Sequence, residues 1–277
     1  MKKYIVPIIS ILIIFFATFI FLKHIFNNQA TSAPNTKTAS EATEVIKTEK
    51  EKDTTQEIPA KQTYSVPILM YHYIRDYNDP EDKIGVNLSV SPQKFEQQIK
   101  YLKENNYTPI SFSDLISKKF PDKSAVITFD DGYEDAFINA YPILKKYEMT
   151  GVFYIIVNKV GQPGYLSWDQ IIKMQSDGML FGSHSISHPN LSLLPDEKIE
   201  KELSESKQIL EEKLNVKIND FCYPSGKYSN QTIKMLEELG YTNSVTTKSG
   251  ISDETSNIFE LPRLRITEET SISKIIQ

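Results

Sequence analysis

Ala125-Val126-Ile127-Thr128-Phe129-Asp130-Asp131-Gly132-Tyr133 is a short apolar, β-branched run that ends on two adjacent carboxylates and a glycine. It is too short and too β-branched for a helix and reads as a buried strand. Asp130, Asp131 and Gly132 then fall at its C-terminal end, where α/β folds place their chemistry. Neighbouring carboxylates repel and raise each other's pKa unless a cation intervenes. A divalent metal resolves the conflict: one Asp ligates it and the other stays free as a base. The same triplet is also ordinary turn and helix-cap chemistry, so the reading needs a second signal.

That signal is Gly182-Ser183-His184-Ser185-Ile186-Ser187-His188-Pro189. His184 and His188 lie four apart on a Ser-rich loop after a strand-like stretch. Catalytic zinc sites often take three protein ligands of His and carboxylate type, leaving a position for water. Asp131, His184 and His188 form such a set, with Zn²⁺ the expected ion.

Around these motifs, apolar strand runs alternate with helical patterns. Val66–Met70 leads into Tyr71-His72, and Arg75–Gly85 reads as a polar, turn-rich loop. Ser91-Pro92 opens a helix with a cap and a proline at its first position. A helix is expected from about Glu134 to Tyr147, kinked or restarted at Pro142. Thr150–Val157, Met179–Gly182, Ile218–Cys222, Tyr241–Val245 and Ile258–Ile266 read as strands or extended pieces. Pro195–Leu214 is the longest helix. Such alternation predicts a parallel α/β architecture with crossover helices.

The 277 residues suffice for one globular domain with appendages, and the net charge of −5 argues against nucleic acid as partner. Cys222 is the only cysteine, so no intrachain disulfide forms. Lys2 and Lys3 precede the uncharged run Tyr4–Leu22, long enough to cross a bilayer core. Lys23-His24 follows, which suits a cleavage enzyme poorly, and Thr31-Ser32-Ala33 lies far from the run. Residues 1–26 are therefore read as an uncleaved signal anchor, oriented N-in with the rest outside the cell; a secreted form results if the segment is cleaved. Residues 27–63, rich in Thr, Ser, Ala, Lys and Glu, read as a disordered linker, and residues 64–277 as the catalytic domain. No obligate protein partner is evident.

The order Thr-Phe-Asp-Asp-Gly, His-Ser-x-x-His-Pro, then Phe221-Cys222-Tyr223-Pro224-Ser225-Gly226 resembles the polysaccharide deacetylases, carbohydrate esterase family four with the NodB-homology fold. The resemblance runs from about Val66 to about Ile266. It implies a distorted (β/α) barrel and metal-dependent removal of N-acetyl groups from N-acetylglucosamine polymers, either poly-N-acetylglucosamine or peptidoglycan glycan. Carried over, it makes Asp130 the catalytic base and Asp131, His184 and His188 the metal triad. The loop Tyr223–Gly226, with Ser225, is placed to give an oxyanion N–H, and Trp168 and Tyr223 are candidates to stack on a sugar.

Two features depart from the common family pattern. Cys222 stands where the third motif has an Arg, and no histidine follows His188 to supply the acid. His72 is the remaining histidine of the globular part, and its place on the first strand resembles the branch acting on biofilm poly-N-acetylglucosamine. His72 is therefore the expected general acid. Arg263 or Arg265 is expected to replace the missing Arg beside Asp130. Cys222 is read as a buried small residue. Two competing readings are a non-catalytic carbohydrate-binding module on the same fold and a metal hydrolase of another bond.

Overall fold

The computed structural model describes residues 63–276. The signal-anchor reading of residues 1–26, and nearly all of the linker reading, lie outside the described residues. Among the described residues no helix is long and apolar enough to cross a membrane.

Seven parallel strands close into a barrel: β1 (Ile68–Tyr71), β2 (Ser124–Phe129), β3 (Val152–Ile155), β4 (Leu180–Ser183), β5 (Asp220–Cys222), β6 (Asn243–Ser249) and β7 (Leu261–Arg265). They follow one another round the barrel in sequence order, and β1 closes it by pairing with both β2 and β7. In the β1–β2 register Ile68 faces Val126 and Tyr71 faces Phe129. Every residue of β2 is buried, as expected of a parallel strand covered on both faces.

Side chains alternate between two cores because a strand repeats every two residues. Ile68, Val126, Val152, Tyr154, Cys222, Val245 and Leu261 pack together inside the barrel. Leu69, Tyr71, Ile127, Phe129 and Phe153 face outward, under the helices. Phe129 stacks on Phe153 with ring centroids 4.5 Å apart, and its full burial stabilises the fold by about 1.5–3 kcal/mol. Gly182 is small because Tyr154 fills the interior: a Cβ at Gly182 would lie 2.6 Å from the Tyr154 ring.

The helices bury the faces their spacing predicts. Pro92–Glu104 is capped by Ser91 and buries Phe95, Ile99 and Leu102. Asp196–Leu214 buries Ile199, Leu203, Leu210 and Leu214, and it stops at Asn215 in the left-handed conformation, φ 52°. Between Glu134 and Tyr147 the helix does restart. A π-helical turn spans Ala136–Ala140, and a new α-helix, Tyr141–Lys146, takes Pro142 in its first turn, where the missing N–H costs nothing. The turn-rich reading of Arg75–Gly85 misses a short helix, Lys83–Leu88, capped by Asp82; one and a half turns with a single buried residue leave no periodic signal.

Along the interior faces, Ile68 and Met70 are followed by His72, and Val126 and Thr128 by Asp130. Leu261 is followed by Arg263. The same two-residue period that builds the inner core thus delivers polar groups at the C-terminal mouth.

Candidate active site

β2 hands its last backbone link to β1: the Asp130 N–H donates to the Tyr71 carbonyl at 3.0 Å. His72, the next residue of that chain, then lies beside Asp130, with Nε2 3.8 Å from Oδ2. Asp131 and Gly132 both turn left-handed, φ 71° and 74°. Gly132 is required there, since a Cβ would also press on Ile155 at 3.1 Å.

Asp130 is 3% exposed, yet ionised. Burial pushes its carboxyl up, but the Arg263 guanidinium outweighs this and holds it well below the usual carboxylate range. Arg263 is 0% exposed. Its Nη1 and Nη2 each donate to one Asp130 oxygen at 2.7 Å. Its other donors reach the Thr246 carbonyl at 2.8 Å, Thr128 Oγ1 at 3.0 Å and Cys222 Sγ at 3.3 Å. Of the two expected arginines, the fold thus selects Arg263 as Asp130's neighbour. Arg265 is exposed, and its charge helps to lower the His72 pKa. Burial is the main cause lowering that pKa, opposed by Asp130 and Asp131.

Asp131 Oδ1 lies 3.4 Å from His184 Nε2 and 3.5 Å from His188 Nε2. The edge of a tetrahedron with zinc–ligand bonds of about 2.0–2.1 Å is about 3.3–3.4 Å, so the donors already sit at ligand spacing. The His184 Nδ1–H donates to the Cys222 carbonyl, 2.7 Å away, which turns the lone pair of Nε2 toward Asp131 and His188. These three residues fit a divalent cation. Asp130, His184 and Cys222 also cluster, but the Arg263 guanidinium already supplies the cation there. Burial raises the Cys222 pKa, so its thiol stays neutral, in keeping with a buried small residue.

The histidine loop is strained and held. Ser185 and His188 are left-handed, φ 64° and 60°. Glu202, on the Asp196–Leu214 helix, accepts from the N–H groups of Ile186 and Ser187 at 2.9 Å each and from the Ser187 hydroxyl at 2.5 Å. Ser185 Oγ accepts from the His188 N–H at 3.0 Å. Sequence reasoning missed Glu202, Thr128 and Thr246. Thr128 could have been found from its phase with Val126 and Asp130. Glu202 carries no local signal, because one charge among many on a solvated helix looks like the rest.

The 223–226 loop is narrower in its offering than the sequence suggests. Tyr223's N–H donates to Val245 and Gly226's to Tyr223, while Pro224 has none. Ser225, exposed and left-handed at φ 52°, keeps an N–H without a partner among the described residues. The Tyr223 ring is buried, stacks on Tyr228 at 4.1 Å and bonds the Phe259 carbonyl, so it is committed to the core. Trp168 packs half-buried against the outer core, with the Lys213 ammonium 5.7 Å from its ring. Among the described residues, the ring contacts of Tyr223 are with Phe221 and Tyr228, and that of Trp168 is with Lys213.

A parallel barrel that gathers an Arg-paired Asp, an Asp–His–His cluster and a further His at its C-terminal mouth belongs to one class: the chain is a member of the polysaccharide deacetylase family. The family described as Polysaccharide deacetylase matches residues 117–244. A Bacillus subtilis (strain 168) protein named "Putative polysaccharide deacetylase YxkH" is 33% identical over 223 residues, covering 79% of this chain and 77% of that protein. The poly-beta-1,6-N-acetyl-D-glucosamine N-deacetylase of Staphylococcus aureus (strain MRSA252) is 28% identical over 240 residues, covering 76% and 83%. Among solved structures, the Streptococcus pyogenes deacetylase PplD in complex with acetate aligns with a TM-score of 0.73 and 31% identity, over 78% of this chain and 100% of that one.

Proposed function

We propose that this chain is a metal-dependent N-deacetylase of extracellular poly-β-1,6-linked N-acetylglucosamine, kept at the cell membrane by its N-terminal segment. The observation that carries the catalytic part is the division of labour between adjacent carboxylates. Asp130 is an ionised carboxylate paired with Arg263 through both oxygens, and Asp131 faces two imidazole nitrogens at ligand spacing. The similarity to the S. aureus enzyme supports the polymer, and the apolar run Tyr4–Leu22 supports the location.

Asp131 Oδ1, His184 Nε2 and His188 Nε2 would hold the cation, and two imidazoles with one carboxylate suit Zn²⁺. Such an ion, when bound, polarises an acetyl carbonyl and makes water more acidic. Asp130 accepts the proton of the attacking water. The depressed pKa makes it a weak base but guarantees that it is ionised at every working pH. Arg263 fixes the carboxylate plane, and the free N–H of Ser225 is a candidate donor to the developing oxyanion. His72 gives its proton to the leaving nitrogen, which would otherwise depart as an amine anion.

Acetate release from isolated poly-β-1,6-N-acetylglucosamine and from peptidoglycan glycan strands tests this. Activity on the former, lost on chelation and restored by Zn²⁺, is the expected result. Release from peptidoglycan alone would reassign the polymer. Oligomer binding without acetate loss would make the chain a carbohydrate-binding module.

A further inference from the structure

Beside the aspartate–histidine cluster, three tyrosines form one file. Tyr73 follows His72, and Tyr133 lies two residues past Asp131. Their rings stack at 3.7 Å, with Tyr165 next at 5.2 Å and tilted by 35°. All three are half-buried.

The file is rigid. Arg75 covers the other face of Tyr73, its guanidinium carbon 3.5 Å from the ring centre, and is itself tied to Ser89. The Glu134 N–H donates to the Gly164 carbonyl, and the Leu166 N–H to the Gly132 carbonyl, each at 2.9 Å. The loop carrying Tyr165 is thereby fastened to the end of β2. Tyr73 has both faces covered and serves as backing. Tyr133 and Tyr165 splay apart, and both line a crevice of about 360 Å³ with Glu134, Asp135, Ile138 and Gly164. That is within the range of small-ligand sites, about 300–1,000 Å³. Asp135 Oδ1 is buried without a hydrogen-bond partner among the described residues. A larger crevice, about 570 Å³, lies at the other end of the barrel, where Leu180, Asp220 and Thr242 open β4, β5 and β6; none of the cluster residues lines it.

Aromatic walls with carboxylate acceptors suit a pyranose, whose C–H faces are apolar and whose hydroxyls are donors. We propose that the Tyr133–Tyr165 crevice is a subsite for a hexosamine ring next to the one being deacetylated, with Glu134 and Asp135 accepting from its hydroxyls. This rests on the reading of the chain as a polysaccharide N-deacetylase. Because the rings are fixed before the sugar arrives, little side-chain entropy is lost on binding.

The test uses β-1,6-linked N-acetylglucosamine oligomers of one to six units, with KM and kcat from acetate release and binding from calorimetry. Tyr165→Ala should raise KM for the longer oligomers about tenfold, the effect of losing one aromatic contact, with a much smaller rise for the monomer. Tyr165→Trp should restore it. Ile138→Arg, at a site 59% exposed and so tolerant of change, should block the crevice and show the same length dependence. Equal changes at all lengths, or none in either variant, overturn the subsite. If the wild type binds oligomers without deacetylating them and Tyr165→Ala loses that binding, the subsite stands and the catalytic reading falls. Normal turnover with unchanged KM gives the reverse, and a wild type that neither binds nor deacetylates overturns both.

Discussion

Arg263 and Asp130, 133 residues apart in sequence, meet in a two-pronged ion pair inside the barrel, both hydrogen bonds 2.7 Å long. The pair forms because β1 pairs with both β7 and β2, so a long side chain on the interior face of β7 reaches across β1 to the end of β2. Every N–H direction of the guanidinium has an acceptor, so the arginine is immobile and the carboxylate plane is set by it.

Removing one partner leaves a buried charge uncompensated. Arg263→Met should therefore destabilise the domain by about 3–5 kcal/mol, the usual cost of breaking a buried pair from one side. Adding Asp130→Asn should recover a substantial part of that loss. Urea unfolding of the two single variants and the double variant measures the coupling. Additive losses would mean that the pair does not act as a unit.

The two aspartates should separate under mutation. Asp131→Ala removes a proposed ligand and should abolish tight metal binding and turnover together. Asp130→Asn leaves the ligand set intact and should retain the metal while losing most turnover. Elemental analysis beside acetate release decides it; full activity in Asp130→Asn would exclude that residue as the base.

Glu202 holds the histidine loop by three hydrogen bonds, against two left-handed residues that resist the conformation. Glu202→Ala should weaken Zn²⁺ binding about 10–100-fold, as losses behind metal ligands commonly do. Glu202→Gln, which keeps an acceptor, should lose less. Competition with a chromophoric chelator reports affinity without reference to activity. An unchanged zinc affinity in Glu202→Ala would show that the loop holds itself.

What could be read in the sequence follows from distance along the chain. Asp130, Asp131, His184 and His188 are legible because each pair is a local motif closing a strand. The alternation of strands and helices likewise made the parallel α/β architecture legible, and its closure into a barrel was implied by the resemblance to the deacetylases. The choice between Arg263 and Arg265 was not, because it depends on β7's position against strands more than a hundred residues away. Tyr223 looked available for a sugar because aromatic residues near a motif look alike in sequence; its burial is a consequence of packing with Tyr228 and Phe259. The tyrosine file was hidden for the same reason, since Tyr73, Tyr133 and Tyr165 come from three separate stretches of the chain.

Burial holds the Asp135 carboxyl up to about 6, above its ordinary 3.8. The folded state therefore keeps this proton more tightly than the unfolded chain does. Stability from this group falls as pH rises from about 4 to about 6 and is constant above that. Asp135→Asn cannot ionise, so its stability relative to wild type should rise through that window and then level off. Urea unfolding between pH 4 and pH 8 gives the difference curve. A difference that does not change with pH would show that the carboxyl titrates alike in both states.

His72 lies just past the end of β1, its Nε2 3.8 Å from Asp130 Oδ2. Expulsion of an amine needs a proton, and His184 and His188 face Asp131 at ligand spacing, so neither imidazole is free to give one. Asp130 could return the proton it has taken, but its pairing with Arg263 makes the protonated form short-lived. His72→Ala should keep the fold and the metal and lower kcat by about 10²–10⁴-fold, the range for loss of a general acid. An activated acetyl ester has a leaving group that needs no proton, so the same variant should lose far less on it. The ratio of the two losses is the measurement. Equal losses on amide and ester would show that His72 only supports Asp130 at 3.8 Å, and the acid would then have to be sought elsewhere at the barrel mouth.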